Sequence, residues 1–311
     1  MQQLEEQEHY FQNVLKDVCY KFSKDLQPAG YAKDGDIVTF VTQNALGENV
    51  NSEETLFCHM EEEQLNAATG PLFVEGAEKG DVLAVDILDI KVDETGVTMV
   101  IPEEGGIWDQ CEERTRFFSV KNNRVTWEGH DMSWDTEPMI GVIGCAHDEK
   151  ELPTMFVGDH GGNMDSNIIT KGATVWLPVR VKGGLLSIGD LHASMADGEM
   201  CGTGIEISGE VVVRVRLLKN FELRWPVTET KDAYYVNTNG ETCDKAIERG
   251  YKEMARLIAD AYGWGMSDVA VYMSVRGMIS ANQACLGSGN GGNSFRIGTP
   301  KVANKRPLIG M

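Results

Sequence analysis

The sequence predicts a mainly β protein, β-sandwich or barrel-like, with a smaller α/β C-terminal portion containing one long helix. Three observations carry this. Residues 81–90 and 205–217 alternate apolar and polar side chains with period two, the pattern of a strand that packs one face. Clusters of Gly, Asn and Asp break the chain into many short apolar runs, as turns between strands do. A clean helical stripe occurs in one place, between Cys243 and Tyr262.

Taken in order, residues 1–17 are a polar leader and residues 18–220 a β-rich domain. Residues 36–42 form a β-branched run after the turn signal Lys33-Asp34-Gly35. Residues 44–66 are acidic and irregular. The turn Glu78-Lys79-Gly80 leads into the run at 81–90, and 102–116 reads as a loop. Phe117 to Trp127 reads as a hairpin turning at Asn122-Asn123, while 139–146 and 173–179 are apolar strands. In the run 205–217 the even positions carry Glu206, Glu210, Arg214 and Arg216. One face should therefore pack and the other meet solvent or a neighbouring strand. Residues 221–311 form the α/β portion. There Thr242 caps the helix and Gly263 closes it, over a stripe of Ala246, Ile247, Gly250, Met254, Leu257, Ile258 and Ala261. A strand is expected at 269–275, and the Gly/Ser/Asn-rich tail after Leu286 reads as mobile.

A chain of 311 residues is long enough for one large β domain or two interleaved ones. Its net charge of −20 argues against nucleic-acid and anionic-membrane partners and suits a neutral or cationic small substrate. Seven cysteines without a C-x-x-C pair argue for a reducing compartment and against a zinc ribbon. Met1 to Glu8 lacks a basic and an apolar segment, so no signal peptide is expected, and a cytoplasmic protein is.

The chemistry concentrates between residues 157 and 206. His160 and Asp165 lie on a glycine-rich loop, Asp190 and His192 on a strand-like run, and Asp197 and Glu199 on a glycine turn. Residues 190 and 192 share one face of a strand and make a rigid half-site for a divalent metal. Gly161 and Gly162 let the loop turn sharply and bring His160 and Asp165 to that half-site. Two His and two Asp suit zinc or a similar first-row metal, and a second site would suit calcium. Equally, Asp190 and His192 read as a hydrogen-bonded pair that pins a turn. Glu199, beside Met195 and Met200, is the choice for general base, with Asp197 as its rival. A solvated acidic turn is the plain alternative. Asn163 suits an oxyanion contact, or else it satisfies its own loop. Glu75 reads as a site residue with Gly161 and Gly162, or as a solvent-facing strand end. Cys201 reads as a nucleophile or, more simply, as a small buried side chain.

Three blocks carry a resemblance. Residues 69–83 resemble the TGPxxVEGAxxGDxL block of the acetamidase/formamidase family. Residues 160–165 are similar to its HGGNMD block, and 189–193 with 197–206 to its GDxHAxQGDGExCGTxIE block. The chain departs from the pattern at Met195 and Ala196, where the family has glutamine and glycine, and at Asn44, which matches an aspartate. The resemblance implies hydrolysis of short aliphatic amides to a carboxylic acid and ammonia. It also implies a β-rich fold, a homo-oligomer and bound divalent metal. The competing reading is a non-catalytic β-rich protein that binds a small molecule or ion in the same pocket.

Overall fold

The structure, a computed structural model, describes residues 13–47, 50–61, 64–285 and 292–310. Two large open sheets pack face to face. The first has nine strands, in the order Val14–Leu15, Ile37–Thr42, Gly209–Leu218, Val82–Val92, Thr174–Pro178, Val227–Glu229, Ala233–Gly240, Asn293–Pro300 and Met278–Ala281. The second has twelve strands, and its centre is Leu186–His192, which pairs with Met139–Gly144, Glu206–Ile207 and Ala68–Val74. Leu83, Val85, Ile87, Val211, Val213 and Val215 from the first sheet meet Leu72, Ile140, Ile143, Ile188 and Leu191 from the second in one apolar core. This is a sandwich. Neither sheet closes into a barrel.

Strand parity then builds a third layer. Val82 and Ala84 alternate with Leu83 and Val85, so they face away from the sandwich. They pack with Trp176, Val236 and Ile297 against helix α1, Cys243–Tyr262. The Thr242 hydroxyl accepts from Lys245 N at 3.3 Å at one end, and Gly263 ends the helix in the left-handed region, as the caps predicted. The predicted stripe is buried except for Ile247, which is half-buried.

Several expectations hold and several change. The hairpin turns at Asn122 and Asn123, both with positive φ, as a tight two-residue turn requires. The strand expected at 269–275 is a second helix, α2, Met266–Arg276. A strand would put 269, 271, 273 and 275 on one face. Instead Val269 and Met273 are buried while Val271 and Val275 are exposed, which is the i, i+4 spacing of a helix. The run at 205–217 is not one strand. It breaks at Ser208, and the chain crosses there from the second sheet to the first. Asn44 braces the crossing. Its backbone N–H donates to Ser208 Oγ at 2.9 Å and its side chain to the Glu206 carbonyl at 3.0 Å. In the C-terminal tail, Asn293–Pro300 is an inner strand that pairs along its whole length with Ala233–Gly240, so this part is fixed. Farther along the tail, Leu308 and Ile309 are buried in the same cluster as helix α1, whereas residues 287–291 and 311 of the tail and most of the leader lie outside the described residues. Among the described residues no helix is long and apolar enough to cross a membrane.

Candidate active site

The central strand of the second sheet carries Asp190 and His192, and the neighbouring strand sets Glu206 directly opposite His192. The His192 Nε2 atom is 3.0 Å from Glu206 Oε1 and 3.2 Å from Asp190 Oδ1. It lies 3.9 Å from both Asp165 Oδ1 and Glu199 Oε1. Four carboxylates thus converge on one imidazole, and all five side chains are buried.

Three of the five have positive φ, Asp165 at 43°, Asp190 at 55° and Glu199 at 45°. Such backbone is rare outside glycine and persists only where the surroundings enforce it. For Asp165 the enforcement is visible, since Met164 and Asp165 N–H both donate to the Gly141 carbonyl. Gly141 itself is indispensable. A Cβ there would lie 2.4 Å from both Asp165 Oδ1 and Asp190 Oδ2.

The electrostatics follow from burial and crowding. Burial, with Glu199 and Asp190 alongside, raises Asp165 well above the ordinary carboxylate range. Burial pushes Glu199 up to about 7 and Glu206 up to about 8. Burial also works against an ionised Asp190, but the charge and hydrogen bond of His192 outweigh it and hold Asp190 low. It likewise works against the His192 imidazolium, yet Glu206 and Asp190 prevail and raise His192 well above its usual value. Asp165 Oδ1, Glu206 Oε2 and His192 Nδ1 are buried without a hydrogen-bond partner. Unsatisfied buried oxygens among like charges are what a divalent cation would neutralise. The donor set therefore fits such an ion, through Asp165, Asp190 and His192 on one side and Glu199 and Glu206 on the other. Among the described residues these two groups share His192 and no other group of this kind forms.

A cavity of about 400 Å³ opens onto the cluster. Asp165, Asp190, Glu199, Glu206 and Asn163 line it, together with apolar side chains that include Leu46, Phe57, Ile101 and Met155. Asn163 Oδ1 is buried there without a partner.

The other residues singled out from the sequence lie elsewhere. His160 is fully buried, but its ring packs edge-on against Phe22 at 4.9 Å, and it belongs to neither ligand group. Burial pushes it down to about 3. The reason is local. Gly158 and Gly161 pair as a tight hairpin whose tip is Asp159-His160, so the ring turns into the core beside Phe156. Gly161 and Gly162 do not line the cavity; a Cβ on them would strike Ile143 O at 2.3 Å and Phe156 O at 2.1 Å. Asp197 is half-exposed, pairs with Arg296 at 2.5 Å and accepts from Asn167 at 2.9 Å. Glu75 is exposed on a turn away from the cavity. Burial raises the Cys201 thiol, so it is held protonated, and it does not line the cavity.

Two residues at the site were not singled out from the sequence. Glu206 sits in the run 205–217, whose even positions were expected to meet solvent or a neighbouring strand. Gln283 donates from Nε2 to Asp165 Oδ2 and lines the cavity, yet nothing in its neighbourhood marks it as chemical.

The acetamidase/formamidase family profile matches residues 4–156 and 148–283. The chain belongs to the acetamidase/formamidase family. It is 28% identical over 259 residues to a formamidase of Methylophilus methylotrophus, covering 61% of this chain and 63% of that protein. It spans two-thirds or less of the length of the curated relatives it matches. Among solved structures, an acetamidase from Bacillus halodurans superposes with a TM-score of 0.88 at 32% identity, covering 92% of this chain and 97% of that one. A recombinant predicted acetamidase/formamidase from Thermoanaerobacter tengcongensis has the same score at 34% identity, with 93% and 95% covered. All five cluster residues fall within the blocks that resemble the acetamidase/formamidase pattern, Asp165 in the first histidine block and the others in the second.

Proposed function

We propose that this chain hydrolyses short aliphatic amides to a carboxylic acid and ammonia at the cavity above His192. The observation that carries the reading is the convergence of Asp165, Asp190, Glu199 and Glu206 on one buried imidazole under an open cavity. Asp165, Asp190 and His192 would hold a divalent metal, with zinc the first candidate. The set offers one imidazole rather than the two expected, so it is richer in oxygen and also suits manganese. When bound, such an ion polarises the amide carbonyl and makes water a stronger acid.

The chain's own residues do the rest. Glu199 faces the cavity beside the metal-ligand group, and burial keeps its carboxyl near neutrality. It takes a proton from the attacking water and returns it to the departing nitrogen, since an amide anion is too poor a leaving group. Asn163 lines the cavity with its Oδ1 unpartnered, and its NH₂ can donate to the carbonyl oxygen as negative charge develops there. Leu46, Phe57, Ile101 and Met155 form the apolar side that receives the acyl group. Glu206 orients His192. Asp197 serves as a structural anion, and Glu75, Gly161 and Gly162 lie outside the cavity that receives the amide.

The test joins metal analysis of the purified protein to ammonia release from formamide, acetamide and propionamide. About one divalent ion per chain and turnover of at least one amide are expected. His192→Ala and Asp190→Ala should each lose the ion, and full retention in both would sink the ligand assignment. Saturable amide binding without ammonia would favour the non-catalytic reading.

A further inference from the structure

The C-terminal sheet does more than pack against the sandwich. Gly198, the residue before Glu199, is bridged in parallel to Gln283. Its N–H donates to the Asn282 carbonyl and its carbonyl accepts from Ala284 N–H, each at 2.9 Å. Arg296 extends the clamp, donating to Asp197 Oδ1 at 2.5 Å, to Asn282 Oδ1 at 3.0 Å and to the Ala281 carbonyl at 3.1 Å. Gln283 N–H is fixed in turn by Ser294 Oγ at 3.1 Å. The backbone on either side of the Gln283 side chain is therefore locked to the loop that carries Glu199.

From this clamp the side chain reaches into the cavity. Its amide nitrogen donates to Asp165 Oδ2, and the same side chain approaches the Glu199 carboxyl, which lines the same cavity. An amide nitrogen has two protons and no charge. It is suited to sit between two carboxylates that would otherwise repel each other. We propose that Gln283 is a positioning residue of the site, holding Asp165 and Glu199 in place relative to each other through its side-chain amide. The inference rests on the amide-hydrolysis reading for its kinetic consequence, but not for its consequence on metal affinity.

The experiment uses Gln283→Met, which keeps length and packing but loses both donors, and Gln283→Glu, which keeps shape and replaces the donors by acceptors. Circular dichroism and thermal melting should show folded protein. Zinc alone is titrated into the metal-stripped protein against a chromophoric chelator. The affinity of both variants should fall by about 10–100-fold, as loss of a group that orients a ligand does. With an amide that the wild type turns over, kcat should fall by about 10–100-fold while KM holds. The double variant with Glu199→Gln should lose little more than Glu199→Gln alone, because both act on one proton transfer. Wild-type zinc affinity in Gln283→Met removes the hold on Asp165, and additive losses in the double variant remove the hold on Glu199. If no amide is hydrolysed by the wild type yet the variants bind zinc weakly, the proposed function fails and the positioning role stands. Failure of both variants to fold would assign residue 283 to the scaffold and overturn the proposal.

Discussion

Gly141→Ala tests whether the cluster is held to sub-ångström tolerance. The added methyl carbon would sit 2.4 Å from Asp165 Oδ1, 2.4 Å from Asp190 Oδ2 and 2.9 Å from Asp190 Cγ. An ordinary carbon–oxygen contact needs about 3.4 Å, so each carboxylate must retreat by about 1 Å. Neither is the end of a long flexible side chain, both lie on left-handed backbone, and a retreat toward the cavity would carry them out of the cluster. The strand around Gly141 is also fully buried and cannot bow outward. Overpacking of this kind costs about 1–3 kcal/mol of stability. A 1 Å displacement of reacting or ligating groups costs about 10²-fold in rate. Gly141→Ala should therefore lower the melting temperature by several degrees, weaken zinc binding and cut kcat/KM by about 10²-fold. Gly106→Ala is the control, since Gly106 is exposed and a Cβ there meets nothing within 4 Å. Wild-type turnover and metal content in Gly141→Ala would falsify the claim that these two carboxylates share one tightly set site.

Glu199→Gln should keep fold and bound metal while lowering kcat by about 10²–10⁴-fold, read by ammonia release. Asp197→Asn, which weakens the tie to Arg296, should cost far less; the reverse ranking means that the two carboxylates have been assigned the wrong way round. Away from the site, Asp86 accepts two bonds from Arg216 at 2.7 Å and one from Thr174 at 2.7 Å. Burial opposes its charge, but these bonds prevail and hold the carboxyl below its ordinary value. Its folded pKa thus lies below its unfolded one, so its stabilisation is present above the unfolded pKa of about 3.9 and is lost as pH falls through the folded value. Asp86→Asn should cost about 1 kcal/mol at pH 7, discounted because Arg216 is half-exposed, and the gap to wild type in urea melts should close below about pH 4. A gap that persists unchanged at pH 3 would mean that packing, not charge, supplies the loss.

Much of the fold was legible because it rests on short-range patterns. The run at 81–90 alternates, and its two faces do pack on different layers, the sandwich core and the helix. The caps at Thr242 and Gly263 are local chemistry and were placed correctly. Residues 269–275 were not legible as helix, because Val269, Val271 and Val275 satisfy a strand's composition as well as its parity. Only the partner surface shows that 271 and 275 have nothing to pack against. The sheet change at Ser208 was equally hidden. Period two survives through a crossing, so parity assigned after residue 209 was carried back to Glu206, where it does not apply.

The same limit explains the site. Asp165, Asp190, His192 and Glu199 were found because they crowd together in sequence among glycines. Glu206 and Gln283 enter from a strand pairing and from a different sheet, and no spacing announces either contact. His160 shows the converse, since its block places it five residues before Asp165, yet a hairpin tip turns the two side chains to different places. Proximity in sequence marks a region as chemical; which side chains meet is decided by backbone that can be strained. Asp165 and Asp190 tolerate positive φ better than most residues because their short side chains can bond locally. Glu199 has no such excuse. A longer acid held at φ 45° on a turn clamped from the far sheet is retained against its own backbone preference, which argues that its carboxylate is needed where it stands.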